Sequence, residues 1–235
     1  AHEQSRRTYG SPRVQAALVA TGERCSVNTV ALLMREEGLQ ARRRRMFRVT
    51  TDSRHGRPVA ANLLNRDFTA ARPSQKGVAD ITDIPTGEGW LYLAAELDLH
   101  SRRWVGWAMS SRLTTALVLA ALRMAIEQRR PPSGLLHHSD RGSQYASRAF
   151  RDTLAAHKMV ASMSRRGDAY DNAVMESCFG TLKKELIHPA RYATRAAAQQ
   201  AIFEYIEVFY NRQRRHSTLD YRSPVQYEQI SAAVP

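Results

Sequence analysis

The chain is poor in the groups that would cross-link it, anchor it or bind a nucleotide loop. It has only 2 cysteines in 235 residues, Cys25 and Cys178, and neither belongs to a CxxC pair. That excludes a disulfide scaffold and a Cys-based zinc site, and fits free thiols in a reducing compartment. No apolar stretch approaches the ~20 residues that span a bilayer, and no signal peptide is visible. There is no internal repeat, no low-complexity tract and no glycine-rich phosphate loop, so a solenoid and ATP use are not expected. Acidic residues are also in deficit: 22 Asp and Glu face 35 Lys and Arg, giving +13 at pH 7 and a pI near 10.4. Such a balance calls for a polyanionic partner, most simply nucleic acid.

A hydrophobic content of 43% is enough for a core, and the length suits one large or two small domains. The positive charge is concentrated early, where residues 1–75 hold 14 Arg and no Lys against 6 acidic residues. Residues 9–40 read as two short helices. Ser11 and Pro12 open the first, with Val14, Ala17, Leu18 and Ala20 as its apolar face. Ser26 opens the second, with Val27, Val30, Leu33 and Met34 inward and Gly38 at its end. Two readings stand, a helix-turn-helix-like unit and a plain packing hairpin. Arg42, Arg43, Arg44 and Arg45 follow, then Arg48, and four adjacent Arg on so basic a chain favour phosphate contact over a solvated face. Residues 49–76 lack periodicity and read as a basic linker laid along DNA.

From Gly77 the pattern changes. Residues 78–84 form a short apolar run closed by Pro85, which reads as a buried strand. Residues 90–99 and 104–109 follow as two more, the first after a hairpin turn. A helix is predicted over 116–128, capped by Thr114 or Thr115 and stopped by Pro131-Pro132. Strand 134–138, helix 147–157 and strand 159–163 come next. Three antiparallel strands followed by alternating strands and helices make an α/β fold with a mixed sheet and helices on both faces. The helix 195–210 is capped by Thr194, and residues 229–235 read as a tail.

Three carboxylates stand out by position. Asp80 lies inside the apolar run, where a lone charge is costly unless it is paired or binds a metal. Asp140 ends the short strand 134–138 and precedes a Gly-Ser loop, the strand end at which open α/β sheets bind ligands. Glu176 lies on a helix opened by Asp171 or Asn172, with 35 residues between it and Asp140. Lys183 is two turns further along that face. That spacing proves little in a chain with 22 acidic residues; the placement carries the argument. Hard oxygen ligands suit Mg²⁺ or Mn²⁺, and two such ions would support phosphoryl transfer. Asp140 also has a reading as a turn carboxylate. Glu96 and Asp98 are rival ligands, of which Asp98 reads as structural. His137 and His138 point to opposite faces and suit packing and hydrogen bonding. The loop 164–170, with Arg165 and Arg166, reads equally as a DNA-contacting flap and as a connection.

Ala79-Asp80-Ile81-Thr82, Leu97-Asp98-Leu99-His100-Ser101, Val105-Gly106-Trp107, His138-Ser139-Asp140-Arg141-Gly142-Ser143-Gln144-Tyr145 and Asp171-Asn172-Ala173 with Glu176 form an ordered set of blocks. Together they resemble the catalytic domain of bacterial insertion-sequence transposases of the insertion-sequence-three family, relatives of retroviral integrases. The resemblance covers nearly the whole chain. It implies a ribonuclease H-like core over 77–228, preceded by a small helical DNA-binding domain over 1–48. It also implies that Asp80, Asp140 and Glu176 are a metal-binding acidic triad for DNA cleavage and strand transfer. Asn172, Lys183, Arg165, Arg166 and Arg42 to Arg45 are then DNA-contact candidates. A homo-oligomer on double-stranded DNA, a partner reading-frame product and a bacterial cytoplasmic, nucleoid-associated setting are implied as well. The alternatives are a metal-dependent nuclease of the same fold and an inactive DNA-binding regulator. Two positions depart from the family pattern: Gly77, where Trp is usual, and Asp83, where Tyr is usual. The expected consequence is weaker packing of the strand that carries Asp80.

Overall fold

The computed structural model describes residues 1–41, 56–166 and 168–233; Arg42, Arg43, Arg44 and Arg45, singled out above for phosphate contact, lie outside them. Helices α1 (Ser11–Val19) and α2 (Val27–Glu36) form the expected pair around Tyr9, Val14, Val30 and Met34. Ser26 caps α2 by accepting from the Thr29 N–H at 3.0 Å. At α1 the cap position belongs to Gly10, with Ser11 already inside the helix. Val27 and Leu33, expected inward, are exposed, because so short a hairpin buries only one narrow stripe and Val30 and Met34 occupy it.

The sheet has the order β3-β2-β1-β4-β5. Strands β1 (Lys76–Thr86), β2 (Gly89–Asp98) and β3 (Trp104–Ser110) are antiparallel, while β4 (Leu136–Ser139) and β5 (Val160–Met163) run parallel to β1. Strand β1 runs through Pro85 rather than stopping there. Alternation along β1 feeds two cores. Val78 and Ile84 face a cluster with α5 (Ala173–Leu182) and α6 (Arg195–Glu204), whereas Ala79 faces one with α3 (Thr115–Arg129) and α4 (Arg148–Ala156). Helix α3 lies hard against β3 at Gly106, where a Cβ would meet the Ala121 carbonyl oxygen at 2.3 Å. The mixed sheet flanked by helices is the expected fold.

The stretch read as a linker is in part built into this core. Leu64 is fully buried, and the Leu63 and Leu64 N–H groups donate to Ser162 Oγ at 2.9 and 3.1 Å. Residues 60–64 thereby lie along the edge strand β5, where the Met163 N–H donates to the Ala61 carbonyl at 3.4 Å. Of the residues expected as a tail, 229–233 are helical. In α7 (Pro224–Ala233), Glu228 accepts from Arg129 Nη2 at 2.6 Å, from Ser101 Oγ at 2.7 Å and from Arg103 Nη1 at 2.8 Å. These partners come from other elements, so the helix gives no local signal of its docking. The amino-terminal segment is tied to the core too: Tyr9 Oη accepts from the Arg215 N–H at 2.7 Å, and Arg6 pairs with Glu204 at 2.8 Å. No helix among the described residues is long and apolar enough to cross a membrane.

Candidate active site

Sheet register brings the first two carboxylates together. Ala79 pairs with Ser139 across parallel β1 and β4, so Asp80 and Asp140 are the next residues on neighbouring chains. Strands in a sheet lie about 4.8 Å apart. Beyond Ser139 the β4 chain turns away. Asp140 accepts from the Gly142 N–H at 2.8 Å, and a Cβ on Gly142 would come within 2.9 Å of that carboxylate oxygen. Asp140 is thus both a turn carboxylate and a neighbour of Asp80. Helix α5 packs on β1 through Met175, Phe179 and Leu182 and brings Glu176 within electrostatic reach of Asp80.

Burial is the main reason the Asp80 carboxyl is pushed well above its usual range, and the charges of Asp140 and Glu176 add to it. The Ile81 N–H, at 2.8 Å, and the Lys183 ammonium act in the opposite sense. Tyr145 belongs to the same place. Its ring is buried, its hydroxyl has no hydrogen-bond partner, and burial together with Asp80 and Asp140 raises its pKa. Sequence reasoning placed Tyr145 in a motif but gave it no role.

Among the described residues, no three His, Cys, Asp or Glu side chains are arranged as a ready-made cage for one ion. The donor set still fits a divalent cation. Mg²⁺ needs only one or two protein carboxylates and keeps several waters, and mutually repelling carboxylates gain most from a cation between them.

Several side chains next to this cluster serve other purposes. Neither Asp171 nor Asn172 caps α5 with its side chain. Asp168 caps the preceding 3-10 turn instead, accepting from the Tyr170 N–H. Asp171 is fully buried and takes Asn62 Nδ2 at 2.8 Å, the Arg165 N–H at 2.7 Å and Arg66 Nε at 3.1 Å. Burial raises its pKa, but the Arg165 N–H, the Arg66 hydrogen bond and both guanidinium charges outweigh that and hold it low. The Asn172 amide donates to the Ala79 carbonyl at 3.2 Å, fastening the start of α5 to β1 beside Asp80.

Arg165 also donates to Asn65 at 2.6 Å, so it braces the loop, whereas Arg166 is exposed. The two histidines pack and hydrogen-bond as expected. His137 Nε2 is 2.8 Å from Glu96, and His138 sits between Ser162 and Ser164. Asp98 is structural, accepting from the backbone of Ser74, His100 and Ser101. Lys183 is the larger surprise, because its Nζ pairs with Asp83 at 3.1 Å. Strand alternation alone would have turned Asp83 away from this region. Beyond Ala79, however, β1 has no β4 neighbour, and Lys183, the residue just past the end of α5, meets Asp83 there.

The chain also matches known protein families. An HTH-like domain family matches residues 1–47, and integrase core domain families match 70–169 and 176–231. The chain is 46% identical to "Insertion element IS600 uncharacterized 31 kDa protein" of Shigella sonnei, aligning 99% of its own length and 87% of that protein's. It is 44% identical to "Transposase InsF for insertion sequence IS3A" of Escherichia coli strain K12, covering 99% and 81%. Among solved structures, a simian T-cell lymphotropic virus intasome chain shares the fold at TM-score 0.57 and 17% identity, over 91% of this chain and 70% of that one. The HTLV-2 integrase catalytic core domain does so at 0.52 and 16%, over 68% and 99%.

Proposed function

The chain belongs to the insertion-sequence-three family of transposases, and from that premise we propose that Asp80, Asp140 and Glu176 carry its DNA strand cleavage and strand transfer. As a member it is a DDE-type polynucleotidyl transferase with an integrase core. The observation that carries the assignment is the adjacency of Asp80 and Asp140 in the β1–β4 register, with Glu176 near enough to raise the Asp80 pKa.

These three side chains would hold divalent metal, Mg²⁺ or Mn²⁺ and in our reading two ions. When bound, such ions activate the attacking oxygen and stabilise the leaving one in an in-line displacement. The protein's own contribution is positioning. Asn172 fixes the start of the Glu176 helix to β1, Gly142 keeps the Asp140 turn tight, and buried Tyr145 backs the cluster and limits water behind it.

The substrate is double-stranded DNA, element ends and target, bound by an oligomer, with a partner reading-frame product contributing end recognition. This is also the ground for a nucleoid-associated, cytoplasmic setting. Exposed Arg166, the arginine run from Arg42 to Arg45, and Arg165 at the loop base are our DNA-contact candidates. Lys183 joins them with a qualification: a DNA phosphate must compete with Asp83 for it.

Incubating the full chain with labelled element ends and Mg²⁺ tests the reading. Joined products are expected from the wild type. Asp80→Asn, Asp140→Asn and Glu176→Gln should each lose at least about 10²-fold, the scale for removing one preorganised electrostatic group, while still binding DNA. Cleavage without joining would favour a nuclease, and binding alone an inactive regulator. Strand transfer retained by any one variant would remove that residue from the site.

A further inference from the structure

Helix α5 has a second side, turned away from the carboxylates. A cavity of about 290 Å³ opens there between α1, the β2–β3 turn, α5 and the segment after α6. At ~30 Å³ per water, it has room for a molecule rather than a single solvent. Three arginines line it: Arg13 from α1, Arg102 from the turn, and Arg214.

Their charges are poorly answered. Arg102 donates from Nη2 to the Phe68 carbonyl at 3.1 Å, but its Nη1 is buried with no partner. Arg13 makes no ion pair among the described residues; it lies over the Tyr9 ring, 5.8 Å from the centroid. Arg214 alone has a carboxylate, forking onto Glu185 at 2.9 Å, and Glu185 is shared with the Tyr205 hydroxyl. Asp98 is felt at Arg102, but its oxygens are taken by the turn. His216 reports the convergence. Burial, then the charges of Arg214, Arg13 and Arg102 in turn, push its pKa well below the usual value, so it is neutral.

The rest of the lining suits one class of ligand. Ser177 and Thr181 stand one turn apart on α5, and Phe68 lines the wall as a half-buried aromatic, while the Tyr210 ring behind it is already covered by Arg214, Trp104 and His216. Guanidinium forks match phosphate oxygens, and aromatic faces stack on bases. We propose that this cavity binds a phosphate group carried by a nucleotide, either a free mononucleotide or a unit of a DNA strand, drawn by the unanswered charges of Arg13 and Arg102. The inference does not depend on the acidic triad.

The test uses the full chain in EDTA, so that no divalent ion bridges phosphate to the carboxylates. Calorimetric titrations with inorganic phosphate, a deoxynucleoside monophosphate and a short single-stranded oligonucleotide provide the readout. Saturable one-to-one binding is expected, weakened at least about tenfold in Arg102→Gln and unchanged in Arg148→Gln on the exposed face of α4.

Ser177→Asp, at the exposed rim, places a carboxylate at the mouth without disturbing packing. It should also lose at least about tenfold, and thermal melting confirms that both variants fold. Preferential binding of the monophosphate identifies a free nucleotide as the source; binding of the oligonucleotide alone identifies a DNA strand. Binding that is equal in the wild type and both variants would be general attraction to a +13 chain and would overturn the proposal. So would no binding of any of the three probes.

Discussion

Asp80 and Asp171 are both desolvated carboxylates beside the start of α5, and their surroundings treat them in opposite ways. Asp171 receives an amide, a backbone N–H and a guanidinium, and its pKa is held low. Asp80 receives one backbone N–H, stands among like charges, and its pKa is driven up. A carboxylate saturated by donors is finished and serves the fold. One surrounded by other carboxylates is incomplete until a cation arrives. The contrast separates structural from catalytic acid better than burial does, since burial raises the pKa of both.

The sharpest way to break the comparison is to remove each charge. Asp171→Asn should destabilise by about 3 kcal/mol, near the low end for unpairing a buried charge, because Arg66 and Arg165 have half-exposed side chains and rehydrate. The folded fraction should keep its strand transfer. Asp80→Asn should do the reverse: melting without metal unchanged or higher, the stabilisation by added Mg²⁺ or Mn²⁺ lost, and activity gone. Denaturant titration beside the joining assay reads both, and equal stability losses in the two variants would dissolve the distinction.

A second measurement asks whether a buried group completed in one protonation state behaves like Asp171. His138 lies between two serines, and burial, then His137, pulls its pKa down to about 4. A depressed folded pKa means that its contribution is present above the unfolded value near 6.5 and lost as pH falls towards 4. That is worth about 3 kcal/mol at about 1.36 kcal/mol per pH unit. His138→Gln should flatten the stability–pH curve between those limits; an unchanged slope would assign the loss to other groups.

The smallest effect concerns the strand that carries Asp80. Gly77 borders a cavity of about 30 Å³, and a Cβ there would make ordinary contacts at 3.7 and 3.9 Å. Gly77→Ala should therefore raise stability by up to about 1 kcal/mol. A lower melting temperature would show that β1 cannot accept even a methyl group at this position.

Much of this was legible in the chain because it is written locally. The short apolar run of residues 78–84 marks a buried strand, Ser26 and Thr194 cap their helices as expected, and the two histidines announce packing. What failed was also physical. Asp171 before a helix looks like a cap by spacing, but its partners Asn62 and Arg66 lie about a hundred residues away. Residues 60–64 show no periodicity, because they bind an edge strand through backbone rather than through a repeating apolar face. The docking of α7 leaves no local signal either, because Glu228 is held by the distant side chains of Ser101, Arg103 and Arg129.

The sequence by itself determined the basic charge, the strand and helix periods, the order of the motif blocks and which three carboxylates to suspect. These depend on residue type and short-range spacing. Only the tertiary structure decided that Asp80 and Asp140 are neighbours in register, that Asp83 comes within reach of Lys183, and that Arg13, Arg102 and Arg214 share one cavity. Those outcomes turn on strand pairing and on long side chains crossing between elements, and the energy of a charge depends on what surrounds it in space.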